Sequence, residues 1–156
     1  MKTIKELLEQ KGVAVFTIDR EATVFEAIAL MDAHNVGALI VTCQEGGEPK
    51  VCGILSERDY LRQIILKGRS SRNTPVREIM TRKVVYAEPS STVEETLSIM
   101  TEQRFRHMPV MEGERLAGIV SIGDCVKSII RQQKVQIHYL KDYIADNYPG
   151  PTGEVI

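Results

Sequence analysis

The sequence predicts an α/β (α+β) fold made of two equivalent halves, on two observations. The first is an internal repeat. Thr23-Val24-Phe25-Glu26-Ala27-Ile28-Ala29-Leu30-Met31 returns as Thr92-Val93-Glu94-Glu95-Thr96-Leu97-Ser98-Ile99-Met100, an offset of 69 residues from Thr23 to Thr92. Gly53-Ile54-Leu55-Ser56-Glu57-Arg58-Asp59 returns as Gly118-Ile119-Val120-Ser121-Ile122-Gly123-Asp124, an offset of 65 from Gly53 to Gly118. The second observation is order: short β-branched runs and helically spaced apolar residues succeed one another alike in both copies. The four-residue difference falls where Gln44-Glu45-Gly46-Gly47-Glu48-Pro49-Lys50 shrinks to Glu112-Gly113-Glu114-Arg115. A length change confined to a hairpin turn is what a repeat tolerates. Two half-domains are therefore expected to pack on each other, with function where they meet.

Each copy reads strand, helix, strand, hairpin, strand, helix. An N-terminal helix over 1–12 is expected to precede repeat 1, over 13–67, which starts with the β run Ala14-Val15-Phe16-Thr17-Ile18. Thr23 opens a helix with Glu26 as its capping-box partner, and Thr92 with Glu95 repeats the arrangement. Val24, Ile28 and Met31, like Val93, Leu97 and Met100, sit at i, i+4 and i+7 and mark a buried face. Gly37-Ala38-Leu39-Ile40-Val41 is a continuous apolar run suited to a doubly covered strand, matched by Arg106-His107-Met108-Pro109-Val110.

The hairpin leads to Val51-Cys52-Gly53-Ile54-Leu55, matched by Leu116-Ala117-Gly118-Ile119-Val120; each ends at a serine that starts another helix. Tyr60, Leu61, Ile64 and Ile65 give the first such helix an apolar face, and Val126, Ile129 and Ile130 the second. Residues 68–79 link the repeats with Gly, Ser and Pro punctuation. Repeat 2 spans 80–132, and 133–156 form a helical tail running to about Tyr148, where Pro149-Gly150-Pro151 stops it. Val126, Ile130, Ile137, Leu140 and Ile144 share one stripe, longer than the repeat needs. It fits either a second subunit or a tail folded on its own domain.

Net charge is −1 over 156 residues and the pI is near 6.3, which argues against a nucleic-acid binder. No apolar run approaches the roughly 18 residues of a membrane span, and Met1-Lys2-Thr3-Ile4-Lys5-Glu6-Leu7-Leu8 lacks a secretory pattern. A cytoplasmic chain with no membrane partner is the expectation. Cys43, Cys52 and Cys125 form no Cys-x-x-Cys. Cys43 and Cys52 flank the first hairpin loop, where ordinary thiols are expected ahead of a disulfide. His34, His107 and His138 have no metal-like spacing, so no metal is expected. Gly-x-Gly-x-x-Gly, the P-loop and any recognisable nucleophile context are missing, which points away from an enzyme.

Val76-Arg77-Glu78-Ile79-Met80-Thr81, Arg106-His107-Met108-Pro109-Val110 and both Gly-x-x-Ser-x-x-Asp segments resemble tandem cystathionine-β-synthase (CBS) domains, the regulatory pair called a Bateman module. The resemblance covers roughly residues 10 to 135, and Ile54-Leu55-Ser56-Glu57-Arg58-Asp59-Tyr60 is especially similar to stand-alone pairs of bacteria and plant organelles. It implies two β-α-β-β-α units packed sheet to sheet about a pseudo-twofold axis. It also implies clefts that bind adenosine-containing ligands (AMP, ADP, ATP, S-adenosylmethionine or NAD), a homodimer, and a regulated partner protein not named by the sequence.

By the same resemblance Ser56, Asp59, Ser121 and Asp124 face the ligand, each aspartate on the ribose hydroxyls and each serine near ribose or phosphate. The chemistry is sound: a carboxylate accepts both diol hydrogens, and a helix N-terminus attracts phosphate. The same Ser-x-x-Asp spacing is also a helix cap that needs no ligand. Arg106 and His107, just before Pro109, occupy the position where family members hold phosphate; Gly37 and Ala38 stand there in repeat 1. Two unequal clefts are expected, one lined by Arg106 and His107, the other by small residues. Arg58, replaced by Gly123 in repeat 2, either touches phosphate or pairs with Glu57 or Asp59 at the surface. The segments before each first strand, with Ala14 and Phe16 in one half and Met80, Lys83 and Val85 in the other, are expected to wall the adenine; core packing is the alternative for Phe16 and Val85. The resulting expectation is a nucleotide sensor, with a dimeric ligand-free scaffold as its rival.

Overall fold

In the computed structural model, which describes residues 1–147 (side chains to 145), a leader helix precedes two repeats. Helix α1 (Ile4–Lys11) starts on a capping box between Thr3 and Glu6 and ends at Gly12, whose φ is 99°. Repeat 1 contains β1 (Thr17–Asp19), α2 (Val24–His34), β2 (Ala38–Glu45), β3 (Glu48–Ser56) and α3 (Glu57–Tyr60), which runs into a π-helical turn over Leu61–Ile65. A 3-10 turn over Val76–Glu78 leads to repeat 2, with α4 (Val93–Gln103), β4 (His107–Glu112), β5 (Arg115–Ser121) and α5 (Ile122–Asn147). The expected helix end near Tyr148 and the stop at Pro149-Gly150-Pro151 lie outside the described residues.

The repeat is real in three dimensions. Thr23–Glu26 and Thr92–Glu95 form matching capping boxes, and Asn35 and Arg104 close α2 and α4 in the left-handed conformation. Ala38 lies opposite Ser56 in repeat 1 as His107 lies opposite Ser121 in repeat 2. Both hairpins carry a register shift at the same place, after Val41 and after Val110.

The four extra residues are not in the turn, contrary to expectation. Both hairpins turn through two residues, Gly46-Gly47 and Gly113-Glu114. Repeat 1 instead adds two strand pairs, Gln44 with Pro49 and Glu45 with Glu48, beyond Cys43 with Lys50. Gly46 and Gly47, at φ 62° and 84°, supply the two positive φ values of an I′ turn, whereas in Gly113-Glu114 only Gly113, at 63°, is left-handed.

The first strand of repeat 2 is a second departure. Sheet 1 has order β1-β2-β3, with β1 parallel to β2; sheet 2 has only β4 and β5, and Ala87 makes a lone parallel bridge to Val110. Ladder geometry explains the loss. In repeat 1, Ile40 N–H donates to the Phe16 carbonyl and Arg20 N–H to the Thr42 carbonyl. The repeat offset puts Pro109 at the place of Ile40 and Pro89 at the place of Arg20. Proline has no N–H, so both flanking bonds vanish and the strand shrinks to its centre. Strand β1 itself starts at Thr17, later than the Ala14–Ile18 run suggested.

Each core is finished by the other half's leader. Val24, Ala27, Met31, Leu39, Val41, Leu55 and Ile64 of repeat 1 pack with Val76 and Ile79, which precede repeat 2. Val93, Met100, Met108, Val110, Val120 and Cys125 of repeat 2 pack with Ile4, Leu7 and Leu8 of α1, which precedes repeat 1. Val24 N–H donates to the Thr74 carbonyl and Val93 N–H to the Lys2 carbonyl, the same bond in each copy. Side chains meet glycines at these crossings: a Cβ on Gly53 would lie 2.7 Å from Met80 Sδ, and one on Gly118 would lie 2.9 Å from Leu8 Cδ2. Neither repeat can bury its core alone, so the seam between them is fixed by construction. The face expected after Ser56 is only partly used: in the π-helical turn Ile64 is buried, while Leu61 and Ile65 are each 54% exposed.

Candidate functional site

A cavity of about 470 Å³ opens on the seam. Repeat 1 supplies Gly37 from the entry to β2, Ile54 and Ser56 from the end of β3, and Arg58, Asp59 and Arg62 from the helical segment that follows. Repeat 2 supplies Thr81, Lys83, Val84 and Val85 from its leader and Arg104, Phe105, Arg106, His107 and Pro109 from the entry to β4. The leader is held there by a two-bond bridge: Ile54 N–H donates to the Thr81 carbonyl at 3.0 Å, and Thr81 N–H to the Ile54 carbonyl at 2.9 Å.

At the floor, Ser56 caps α3. Its N–H and Oγ–H both donate to Asp59 Oδ2, at 2.9 and 3.2 Å, and Asp59 N–H donates back to Ser56 Oγ. The cap therefore exists, yet an ionised carboxylate has about four acceptor sites and keeps some for a ligand. Burial pushes the Asp59 carboxyl above its ordinary value, against the pull of hydrogen bonds from Ser56 and Thr81 and of the Arg62 charge. A desolvated carboxylate with acceptor sites to spare is what a ribose diol would relieve.

Around the rim stand Arg58, Arg62, Lys83, Arg104 and Arg106, against two lining carboxylates, Glu57 and Asp59. Arg58 forms neither expected surface pair; its Nη1 donates to the Arg104 carbonyl at 2.8 Å, tying repeat 1 to repeat 2 across the mouth. Arg104 can offer that carbonyl because it caps α4 at φ 61°, an uncommon conformation for a residue with a Cβ. Burial, then the Lys11 charge, lowers the His107 pKa, so the imidazole is neutral at pH 7.

The expected division into a basic cleft and a small-residue cleft is corrected here. Gly37 and the pair Arg106–His107 line the same cavity, and a Cβ on Gly37 would come within 3.3 Å of His107 Cε1. The small residue gives room to the large one because the pseudo-symmetric strand entries face each other. Ser121 and Asp124, with Gly123, do not line this cavity, although Ser121 pairs with His107 across the β4–β5 hairpin. Lys11 Nζ donates to Asp124 Oδ2 at 2.6 Å and to the Ile119 carbonyl at 2.7 Å. Burial raises the Asp124 carboxyl, but the Lys11 bond, the Ser121 N–H bond and the Lys11 charge outweigh it and hold it below the usual range. Ala14 is exposed, Ala38 is buried in β2, and Phe16 stacks on His34 at 3.9 Å between ring centres. Met80 packs on Gly53 and joins the repeat 1 core.

Sequence reasoning missed Thr81, Arg62, Arg104 and Lys11. Thr81 closes the Ile79-Met80-Thr81 stretch already singled out, so a signal was present. Lys11 had none, since its partner is 113 residues away. No group of three or more His, Cys, Asp or Glu suited to a metal occurs among the described residues, and no helix among them is long and apolar enough to cross a membrane. Cys43, Cys52 and Cys125 are free thiols; burial and a hydrogen bond with Cys43 push Cys52 up to about 11, a poor nucleophile at neutral pH.

Known proteins are similar to this chain in sequence and fold. The mitochondrial CBS domain-containing protein CBSX3 of Arabidopsis thaliana is 37% identical over 152 residues, covering 94% of this chain and 73% of its own. The crystal structure of the CBS domain NE2398 superposes with a TM-score of 0.77 at 43% identity, over 83% of this chain and 99% of that one. The Agrobacterium tumefaciens CBS-domain protein ATU1752 gives 0.76 at 41% identity, over 81% and 98%. The CBS-domain model matches twice, at residues 4–66 and 76–131, so that each match takes in one leader and one repeat. Doubled leader, doubled sheet and doubled Ser-x-x-Asp cap thus have one explanation: the chain belongs to the CBS-domain family, as a tandem pair.

Proposed function

We propose that the cavity at Asp59 binds an adenosine nucleotide (AMP, ADP or ATP, with NAD as a longer relative) and that the chain is a regulatory module without catalytic chemistry. CBS-domain proteins are in general regulatory, ligand-binding modules. The observation that supports this ligand class is the pairing of one half-buried carboxylate, its pKa raised by desolvation, with five rim cations around a single 470 Å³ space. That volume lies within the roughly 300–1,000 Å³ usual for small-molecule pockets. In this reading Asp59 accepts the ribose hydroxyls, Val84, Val85, Phe105 and Pro109 wall the base, and Arg58 and Arg106 meet phosphate. Arg58 and Arg106 sit on opposite repeats, so a bound phosphate bridges the halves and biases the geometry at their seam. A ligand shifts that geometry only by its differential affinity for the two states. The output passes to a regulated partner protein through the shape of a homodimer.

Thermal denaturation with AMP, ADP, ATP, NAD and S-adenosylmethionine tests the reading. A ligand at 100 times its dissociation constant adds about 2.7 kcal/mol and raises the melting temperature visibly. Unmoved curves with all five at millimolar concentration overturn it, and leave the ligand-free scaffold.

A further inference from the structure

Past Gln132, α5 runs on to Asn147, and every residue from 133 to 145 is exposed. About 15 residues of unburied helix are marginal in water. A cover for this stretch is therefore needed, and its sequence specifies which. Val126, Ile130, Gln133, Ile137, Leu140 and Ile144 alternate spacings of four and three, the seam of a two-stranded coiled coil. Isoleucine fills the a positions 130, 137 and 144; Val126, Gln133 and Leu140 fill d. Ile130 is 46%, Ile137 52%, Leu140 60% and Ile144 47% exposed, a whole apolar face open to solvent. In parallel coiled coils isoleucine at a favours two strands when leucine fills d, as Leu140 does here.

The flanks decide occupant and orientation. Position e is lysine in every heptad (Lys127, Lys134, Lys141), while g is uncharged (Ile129, Gln136, Tyr143). In a parallel pair each e side chain meets a partner g, so every lysine lies against an uncharged group and its stem can cover apolar surface. In an antiparallel pair e meets e, and the lysine columns repel. We propose that residues 126–144 form a parallel two-stranded coiled coil with a second copy of this chain. This seam gives the self-association invoked above its geometry. It is tested without nucleotide, so its failure leaves the ligand reading standing and the reverse.

Sedimentation equilibrium of the full, nucleotide-free chain should show a dimer at micromolar concentration. Leu140→Lys should weaken it at least 100-fold, whereas Val135→Lys, at position f and 55% exposed, should leave it unchanged. Leu140→Cys, oxidised with copper phenanthroline, should link to its own copy, because d faces d only in the parallel pair; the oxidised wild type should not link. A monomeric wild type, which would assign the face to a different partner, overturns the proposal. A dimer that survives Leu140→Lys does the same, as does a dimeric Leu140→Cys variant that fails to cross-link.

Discussion

Lys11 Nζ lies 2.6 Å from Asp124 Oδ2, so the last turn of α1 places an ammonium where the second repeat would otherwise offer a carboxylate to a ligand. Asp59 and Asp124 end the same Ser-x-x-Asp cap, yet burial raises one while Lys11 and the cap bonds lower the other. Pseudo-symmetry shows how the difference arises. Leu8 on Gly118 corresponds to Met80 on Gly53, but beyond those contacts α1 stays helical to Lys11 whereas the second leader extends into the Thr81 bridge. One leader therefore fills its aspartate; the other leaves it open.

Lys11→Met should free the second site. Isothermal titration with the best nucleotide should give one equivalent per chain for the wild type and two for the variant. The ion pair is partly exposed, so the cost in stability should stay near 1 kcal/mol. A stoichiometry that stays at one would show that Lys11 is not what closes the second cleft.

The two aspartates should separate binding from stability. Asp59→Asn removes the charged acceptor and should weaken nucleotide binding about 10- to 100-fold, the worth of a hydrogen bond to a charged group, with little change in melting temperature. Asp124→Asn should leave affinity unchanged and lower the melting temperature by about 2–4 °C, as expected for a loss near 1 kcal/mol in a chain of this size. Equal losses of affinity in both variants would contradict the inequality of the clefts.

The repeat, the capping boxes and the helix faces were legible because each is local: period, spacing and cap chemistry lie within a dozen residues. What escaped depended on pairing across the chain. Pro89 and Pro109 each look harmless alone, and erase a strand only because Val110 and Ala87 must pair beside them. Phe16 reads as an adenine wall until His34 is found stacked on it. Gly37 and His107 were assigned to different clefts because the repeat offset lays Gly37-Ala38 on Arg106-His107 as equivalent positions, whereas the pseudo-twofold axis sets Gly37 and His107 face to face.

Acidification should act through His107 and Asp59 with opposite signs. The folded His107 pKa lies below its ordinary 6.5, so as pH falls below 6.5 the unfolded chain takes a proton that the folded one refuses, and stability drops. The folded Asp59 pKa lies above its ordinary 3.8, so nearer that value the folded state takes the proton first and some stability returns. Melting temperature against pH should show the first loss in the wild type and not in His107→Gln. Nucleotide affinity should fall over the Asp59 window, since a protonated carboxyl cannot accept both ribose hydrogens. An affinity independent of pH from 7 to 4 would remove Asp59 from the site.

Gly53 and Gly118 hold matching crossings, and only one of them borders the cavity. A methyl on Gly53 would press on Met80 Sδ at 2.7 Å and on the Thr81 carbonyl at 3.0 Å. Methionine can bend away, but that carbonyl accepts the Ile54 N–H and is backbone, so the bridge holding the cavity wall must shift. Gly53→Ala should therefore cost about 1–3 kcal/mol, typical of overpacking, and also weaken nucleotide binding as Thr81 leaves Asp59. The three atoms nearest a methyl on Gly118 all belong to the Leu8 side chain, at 2.9 to 3.5 Å, and a side chain can yield by rotation. Gly118→Ala should be the milder change and leave affinity intact. Denaturant melts with and without nucleotide compare the two. Equal effects on affinity would mean that the Thr81 bridge does not shape the cavity.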